Sequence, residues 1–230
     1  MTYVFTIIKK IFFIVLVSHI GYVIVLRFVN VPITITQIAS IVRGDGFQRV
    51  HVSLKQMSRN AKLAVLASED QLFPDHNGFD MKSIQKALNF NKKKKGKKIR
   101  GASTISQQVA KNVFLWQGRT WVRKGLEVYF TFLIELFWGK KRILEVYLNE
   151  AEMGKGIFGI EAASQKYFRK PASKLTRSEA AMIASSLPNP KRYTVKPASV
   201  YVSRKYPWVV RQMNNLEDDP DIARLILSQP

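Results

Sequence analysis

The chain has no cysteine, only three histidines, and 16 acidic residues against 37 lysines and arginines, giving a formal charge of +21 over 230 residues. Without cysteine there is no disulfide scaffold, no thiolate zinc site and no cysteine nucleophile. His19, His51 and His76 are far apart, and none has a partner at metal-ligand spacing, which argues against a histidine-rich metal centre. Any metal here would be a hard, oxygen-bound ion. The shortage of carboxylates is equally informative, because so large a positive excess favours polyanionic partners: nucleic acid, an anionic membrane surface or a phosphorylated substrate. Composition alone does not choose among them.

The N-terminus narrows the choice. Ile11 to Leu26 (IFFIVLVSHIGYVIVL) carries no formal charge, and the apolar run extends to Val31 with Arg27 as its one charged residue. At ~1.5 Å per residue, about 21 helical residues cover the roughly 30 Å of a hydrocarbon core. The following RFVNVPITIT has no small-x-small cleavage pattern, so an uncleaved signal anchor is expected rather than a removed signal peptide. Lys9 and Lys10 precede the span and place residues 1–10 in the cytoplasm by the positive-inside rule. The expected organisation is thus 1–10 cytoplasmic, 11–31 transmembrane, and 32–230 one domain on the outer face. Such an anchor would raise local concentration at the membrane without touching the chemistry.

Beyond Pro32 the apolar spacing is helical. Leu54, Met57, Ala61, Ala64 and Val65 mark a helix that runs into Glu69. Asp80 is the expected N-cap of a second helix ending at Asn89–Asn91, and Ser103 or Thr104 of a third. Trp121 to Trp138 forms a long apolar helix broken at Gly139, and Thr176 to Glu179 (TRSE) is a capping box before AAMIASSL. Pro207 predicts a kink or break in a last helix from Ser199 to Leu216. The chain therefore looks all-α. GKGIFG at Gly154–Gly159 matches a dinucleotide fingerprint, but helix rather than strand is expected before it. SIQK at Ser83 lacks the other penicillin-enzyme boxes, DHNGFD lacks the ligand spacing of a calcium loop, and the Lys92–Lys98 run is most simply a solvated loop.

Three polar segments stand out. ASEDQLFPDHNGFD at Ala67–Asp80 holds four of the 16 carboxylates, with Glu69 and Asp70 at the end of an apolar helix, where the helix dipole disfavours them. GASTISQQVAKN places Ser103, Thr104, Gln107, Gln108, Lys111 and Asn112 on and around one short helix. WVRKGLE sets Glu127 four residues after Arg123, at ion-pair spacing.

With ILEVYLN at Ile143–Asn149, these segments occur in the order and spacing of the peptidoglycan glycosyltransferases, which the chain resembles continuously from Asn60 to Tyr193. The absence of K-T-G and the early end of the chain point to the monofunctional form. The resemblance implies a lysozyme-like helical domain with a smaller membrane-associated lobe near Ile84–Leu115. It also implies polymerisation of lipid II into glycan strands, with release of undecaprenyl pyrophosphate, at the bacterial cytoplasmic membrane. By motif match Glu69 is the general base and Glu127 the second catalytic glutamate, while Lys86, Ser103, Thr104, Gln107, Gln108, Lys111, Arg119, Arg123 and Lys124 bind substrate. A divalent cation, Mg or Mn, is compatible with Glu127; its ligands are unknown, and no organic cofactor is implied. The implied partners are lipid II, the growing strand and membrane lipids, with room for other wall-synthesis and division proteins but no nucleic acid. Ala102 stands where the family commonly has glycine and Lys86 where it often has arginine, so the backbone at 102 must avoid positive φ and the charge at 86 lacks a bidentate grip. The alternatives are a glycan-cleaving lytic transglycosylase or muramidase, which would have no pyrophosphate to bind, and a non-catalytic basic scaffold.

Overall fold

The computed structural model describes residues 2–94, 101–118 and 120–227. Arg119 and Lys95–Lys98 of the lysine run lie outside the described residues. In order, the helices are α1 (Thr2–Leu26), α2 (Ile35–Val42), α3 (Arg59–Glu69), α4 (Met81–Lys93), α5 (Ile105–Phe114), α6 (Trp121–Phe137), α7 (Lys140–Glu150), α8 (Ile160–Phe168), α9 (Arg177–Ser186), α10 (Val200–Leu216) and α11 (Pro220–Ile226). The helical expectation holds, with one addition. Strands β1 (Gln48–Arg49), β2 (Glu152–Gly154) and β3 (Ile157–Phe158) form a small sheet in the order β1-β3-β2, with Gln48 opposite Ile157 in the parallel pair.

Local chemistry accounts for the boundaries. Ser58 caps α3 by accepting from the Ala61 N–H at 3.0 Å, and the following Leu63–Ala67 are fully buried. Thr104 and Thr176 each close a capping box, with Gln107 and Glu179 respectively. Asp80 caps α4, which continues past Asn91 to Lys93. The expected break at Pro207 does not occur: α10 is helical from Val200 to Leu216. An interior proline costs about 3 kcal/mol, but Val202, Val209 and Met213 are fully buried where α10 packs on α3 and α9. At roughly 1.5–3 kcal/mol each, that burial offsets the proline.

Around the core, α3 packs with α9 and α10, while α5 packs with α6 and α7. The Ile84–Leu115 stretch divides: α4 contributes Ala87 to the buried set, whereas α5 supplies Ile105, Val109, Ala110 and Val113 to the main core. The glycines of GKGIFG serve the hairpin between β2 and β3. Gly156 and Gly159 have positive φ, and a Cβ on either would lie 2.3 Å from the Asp45 carbonyl oxygen or 2.6 Å from that of Asn149.

The first helix is built into the domain. It ends at Leu26, short of the expected Val31, and Val23, Leu26 and Val31 all belong to the main core. The Trp138 indole N–H donates to Val23 O at 2.8 Å, Arg142 Nη2 donates to Leu26 O at 2.8 Å, and Arg27 Nη1 donates to Phe137 O at 2.8 Å. Tyr22 meets Phe114 edge-on, and Phe114 stacks on Phe130 at 4.6 Å. The segment that follows is tied as firmly: buried Glu150 accepts from Gln37 Nε2 at 2.8 Å and from Arg49 Nη1 at 2.9 Å. An anchor that merely tethers the domain is therefore not what the chain has.

Candidate active site

Glu69 is the last residue of α3, where the packed interior of that helix brings it to the edge of the core. It is partly exposed, yet protein surrounds its carboxylate closely. Gln108 Nε2 donates to Glu69 Oε2 at 2.9 Å, and Ser68 Oγ lies 3.3 Å from Oε1. The Gln108 amide is itself oriented, because the buried Tyr147 hydroxyl donates to its Oε1 at 3.2 Å. Burial raises the Glu69 carboxyl above its ordinary value, against the opposing effect of the Gln108 and Ser68 hydrogen bonds and the Lys205 ammonium; the neighbouring Asp70 charge adds to the rise. The Tyr147 phenol is pushed well above its usual value by burial, then by Glu69 and Asp70, so it stays a neutral donor.

Asp70 fixes the chain on the other side of Glu69. Its carboxylate lies 3.0 and 3.1 Å from His76 Nε2, and Oδ2 accepts from the Ile105 N–H at 3.0 Å. Since the Gly78 N–H donates to His76 Nδ1, the ring proton sits on Nε2, facing Asp70. The end of α3 is thereby locked to the start of α5. Placing a carboxylate on that first-turn N–H satisfies a donor the helix leaves unpaired.

On α5, Lys111 lies one turn beyond Gln108. Burial lowers its ammonium from the ordinary range, with Arg123 and Lys124 acting in the same sense and Glu127 and Glu69 opposing. These are the charges that face it. On α6, Glu127 is buried, its Oε2 2.6 Å from Arg123 Nη1 and its Oε1 paired with Lys124 Nζ. Arg123 Nε donates to Gly118 O at 2.7 Å, and the Lys124 side chain is still 39% exposed. Two cations thus pair with the Glu127 carboxylate and a third, Lys111, feels both its charge and that of Glu69, leaving a net positive cluster near Glu69.

The other expected site residues fall in different places. Thr104 and Gln107 are buried in the α5 cap, where Thr104 Oγ1 also donates to Gly78 O at 2.7 Å. Ser103 is exposed just before that cap, and Lys86 is exposed on α4, with no hydrogen bond or ion pair to the Glu69 or Glu127 groups among the described residues. Arg119 lies outside the described residues. Ala102 does not have positive φ, so alanine is accommodated there. Tyr147, Asp70 and His76 carry much of the geometry without having been expected as site residues; Asp70 stood out only for its place at the end of an apolar helix, and all three lie inside motifs that drew attention, ILEVYLN and EDQLFPDHNGFD.

A charged, hydrogen-bonded carboxylate beside a cluster of cations can deprotonate a hydroxyl while a polyanionic group is held next to it. Comparison with known proteins bears on which reaction this serves. Residues 35–214 match the family model described as Transglycosylase. The chain is 60% identical over 169 residues to a biosynthetic peptidoglycan transglycosylase of Escherichia coli (strain ATCC 8739), covering 74% of this chain and 69% of the relative. It is 52% identical over 197 residues to the protein of that name from Mannheimia succiniciproducens, covering 83% and 80% respectively. The chain therefore belongs to the transglycosylase family, as a peptidoglycan glycosyltransferase that polymerises glycan strands in cell wall synthesis.

Proposed function

We propose that the chain polymerises lipid II with Glu69 as the general base. The 4-hydroxyl of one disaccharide attacks the anomeric carbon of a strand still attached to undecaprenyl pyrophosphate. Glu69 takes the hydroxyl proton, and pyrophosphate leaves. The observation that carries this reading is the pairing of Glu69 with Gln108 on the same helix that carries Lys111. The residue that holds the base and the cation are thus one turn apart on α5, which brings the α3 carboxylate and the Lys111 ammonium to the same site, where they can serve attacking hydroxyl and leaving group together. Lys111, Arg123 and Lys124 meet the charge that develops on the pyrophosphate.

The donor set around Glu127 does not fit a resident divalent ion. Both of its oxygens are engaged by Arg123 and Lys124, and no three His, Cys, Asp or Glu side chains converge among the described residues. The role of Glu127 is then to hold two cations in place, and no step is routed through a metal.

A membrane-bound substrate suits the surface. Tyr3–Leu26 is apolar and long enough to cross a bilayer, and Trp121, Val122, Phe132 and Leu136 expose apolar side chains along α6, against which α1 packs. Lys9 and Lys10 favour a cytoplasmic N-terminus, so the domain works on the outer face. The test is incubation of the full chain with lipid II in detergent, with polymer separated from unreacted lipid. Lys111→Ala is expected to weaken a pyrophosphate-bearing donor analogue far more than an acceptor lacking pyrophosphate. Equal weakening of both ligands contradicts the assignment of the cations, and absence of polymer from the folded parent chain contradicts the reaction.

A further inference from the structure

A second feature lies near Glu69, where α10 packs on α3. The loop between α9 and α10 turns back on itself: the Tyr193 N–H donates to Asn189 O at 2.8 Å, the Ser199 N–H donates to Thr194 O at 3.0 Å, and Thr194 Oγ1 donates to Pro197 O at 2.8 Å. Ser199 then caps α10. This lays the Tyr193 ring flat on that of Tyr201, with centroids 3.9 Å apart and planes within 12°. In the stack of Phe114 and Phe130 the second ring is buried in the core, whereas Tyr201 is 36% exposed. Tyr201 and Lys205 stand one turn apart on α10, where it packs on α3, and both feel the Glu69 charge.

Glu69 thus has two unlike sets of neighbours. One comprises α5 and α6, which carry the cations and against which α1 docks; the other is the paired rings of α10 and its preceding loop. A strand whose lipid pyrophosphate end is held by the cations can lay its sugars past Glu69 along α10, where the rings stand. The face of a tyrosine ring is electron-rich. The C–H groups of a pyranose face are weakly positive and apolar, so a sugar ring laid on such a face gains both contact and electrostatic attraction.

We infer that Tyr193 and Tyr201 form a stacking platform for a sugar ring of the glycan strand. This inference rests on the reaction proposed above. The platform binds sugar without reference to pyrophosphate, and it depends on the ring rather than on the hydroxyl.

The experiment titrates a lipid-free, pyrophosphate-free oligosaccharide of alternating N-acetyl amino sugars into the full chain in detergent micelles and follows binding by NMR. Tyr201→Leu keeps apolar bulk for packing against Tyr193 but removes the ring face, and is expected to weaken the oligosaccharide about three- to tenfold. Tyr201→Phe is expected to bind like the parent. Lys111→Ala is expected to leave this ligand unaffected while losing the pyrophosphate-bearing donor analogue, so failure of the cation assignment and failure of the platform give different patterns. Tyr193→Leu supplies an independent variant, and thermal melts check that each is folded. Parent-like oligosaccharide binding in both leucine variants, or loss in Tyr201→Phe equal to that in Tyr201→Leu, overturns the platform.

Discussion

Gln108 Nε2 donates to Glu69 Oε2 at 2.9 Å, across 39 residues of sequence, and its carbonyl is held by Tyr147 at 3.2 Å. The Glu69 carboxylate is thereby aimed by an amide that a buried phenol keeps from flipping. Burial raises the Glu69 carboxyl, and the amide partly restrains the rise.

Removing that restraint has a definite sign. A hydrogen bond to the charged form lowers a carboxyl pKa, so Gln108→Leu moves the Glu69 value further up. The acid limb of the kcat/KM profile for polymerisation then shifts to higher pH, with activity lost first at the acidic end. Tyr147→Phe shifts it the same way by a smaller amount. An unmoved acid limb in folded Gln108→Leu removes this hydrogen bond from the catalytic geometry.

Glu69→Gln separates activity from stability. Loss of a general base costs about 10²- to 10⁴-fold in rate. Because the folded pKa of Glu69 is raised above the unfolded value, the folded state favours the protonated form. The resulting stability is present at low pH and is lost as pH rises through the folded value. At neutral pH the neutral glutamine avoids that loss, so the variant is expected to melt at a higher temperature than the parent while forming almost no polymer. Parallel thermal melts at acidic and neutral pH check this, the gain being confined to the higher pH.

The anchor cannot be trimmed at an arbitrary point. Deleting residues 2–18 removes turns of α1 that lie outside the main core and is expected to leave the fold intact. Deleting residues 2–31 takes away Val23, Leu26 and Val31, as well as the acceptors of Trp138 and Arg142. Leu26→Ala alone is expected to lose about 2–5 kcal/mol. Urea denaturation of the three forms in detergent is the check, and equal midpoints for the 2–31 deletion and the parent would show the docking to be energetically idle.

What could be read from the sequence was what local chemistry decides. The cap at Thr104, the box at Thr176 and Glu179 and the pairing of Arg123 with Glu127 each lie within about a turn of chain, and each is found in place. The helix expected from Leu54 into Glu69 begins only at Arg59, because Leu54–Gln56 form a separate 3-10 turn and Met57 and Ser58 are extended. Hydropathy could not say which face Val23 and Leu26 turn to, since lipid and protein interior select the same side chains. Strands of two or three residues are too short to show alternation, so the β1-β3-β2 sheet left no pattern. Pro207 carried a clear local signal that tertiary packing overrode. The link from Tyr147 through Gln108 to Glu69 joins three helices and has no one-dimensional signature, even though each residue stood in a recognisable motif.

Trp138 and Arg142 grip the last turn of α1, and Arg27 returns the grip to Phe137. With α1 anchored in a bilayer, these contacts make the height of Glu69 above it a dimension of the molecule rather than the average of a slack tether's wanderings. Such a polymerase does not stoop to its substrate or rear back with its product. Each disaccharide must rise to one level, and the strand leaves along one bearing relative to the plane of the membrane. A bilayer thicker or thinner than the Tyr3–Leu26 span tilts or shifts the helix, and the hydrogen bonds at its last turn pass that tilt to the cleft.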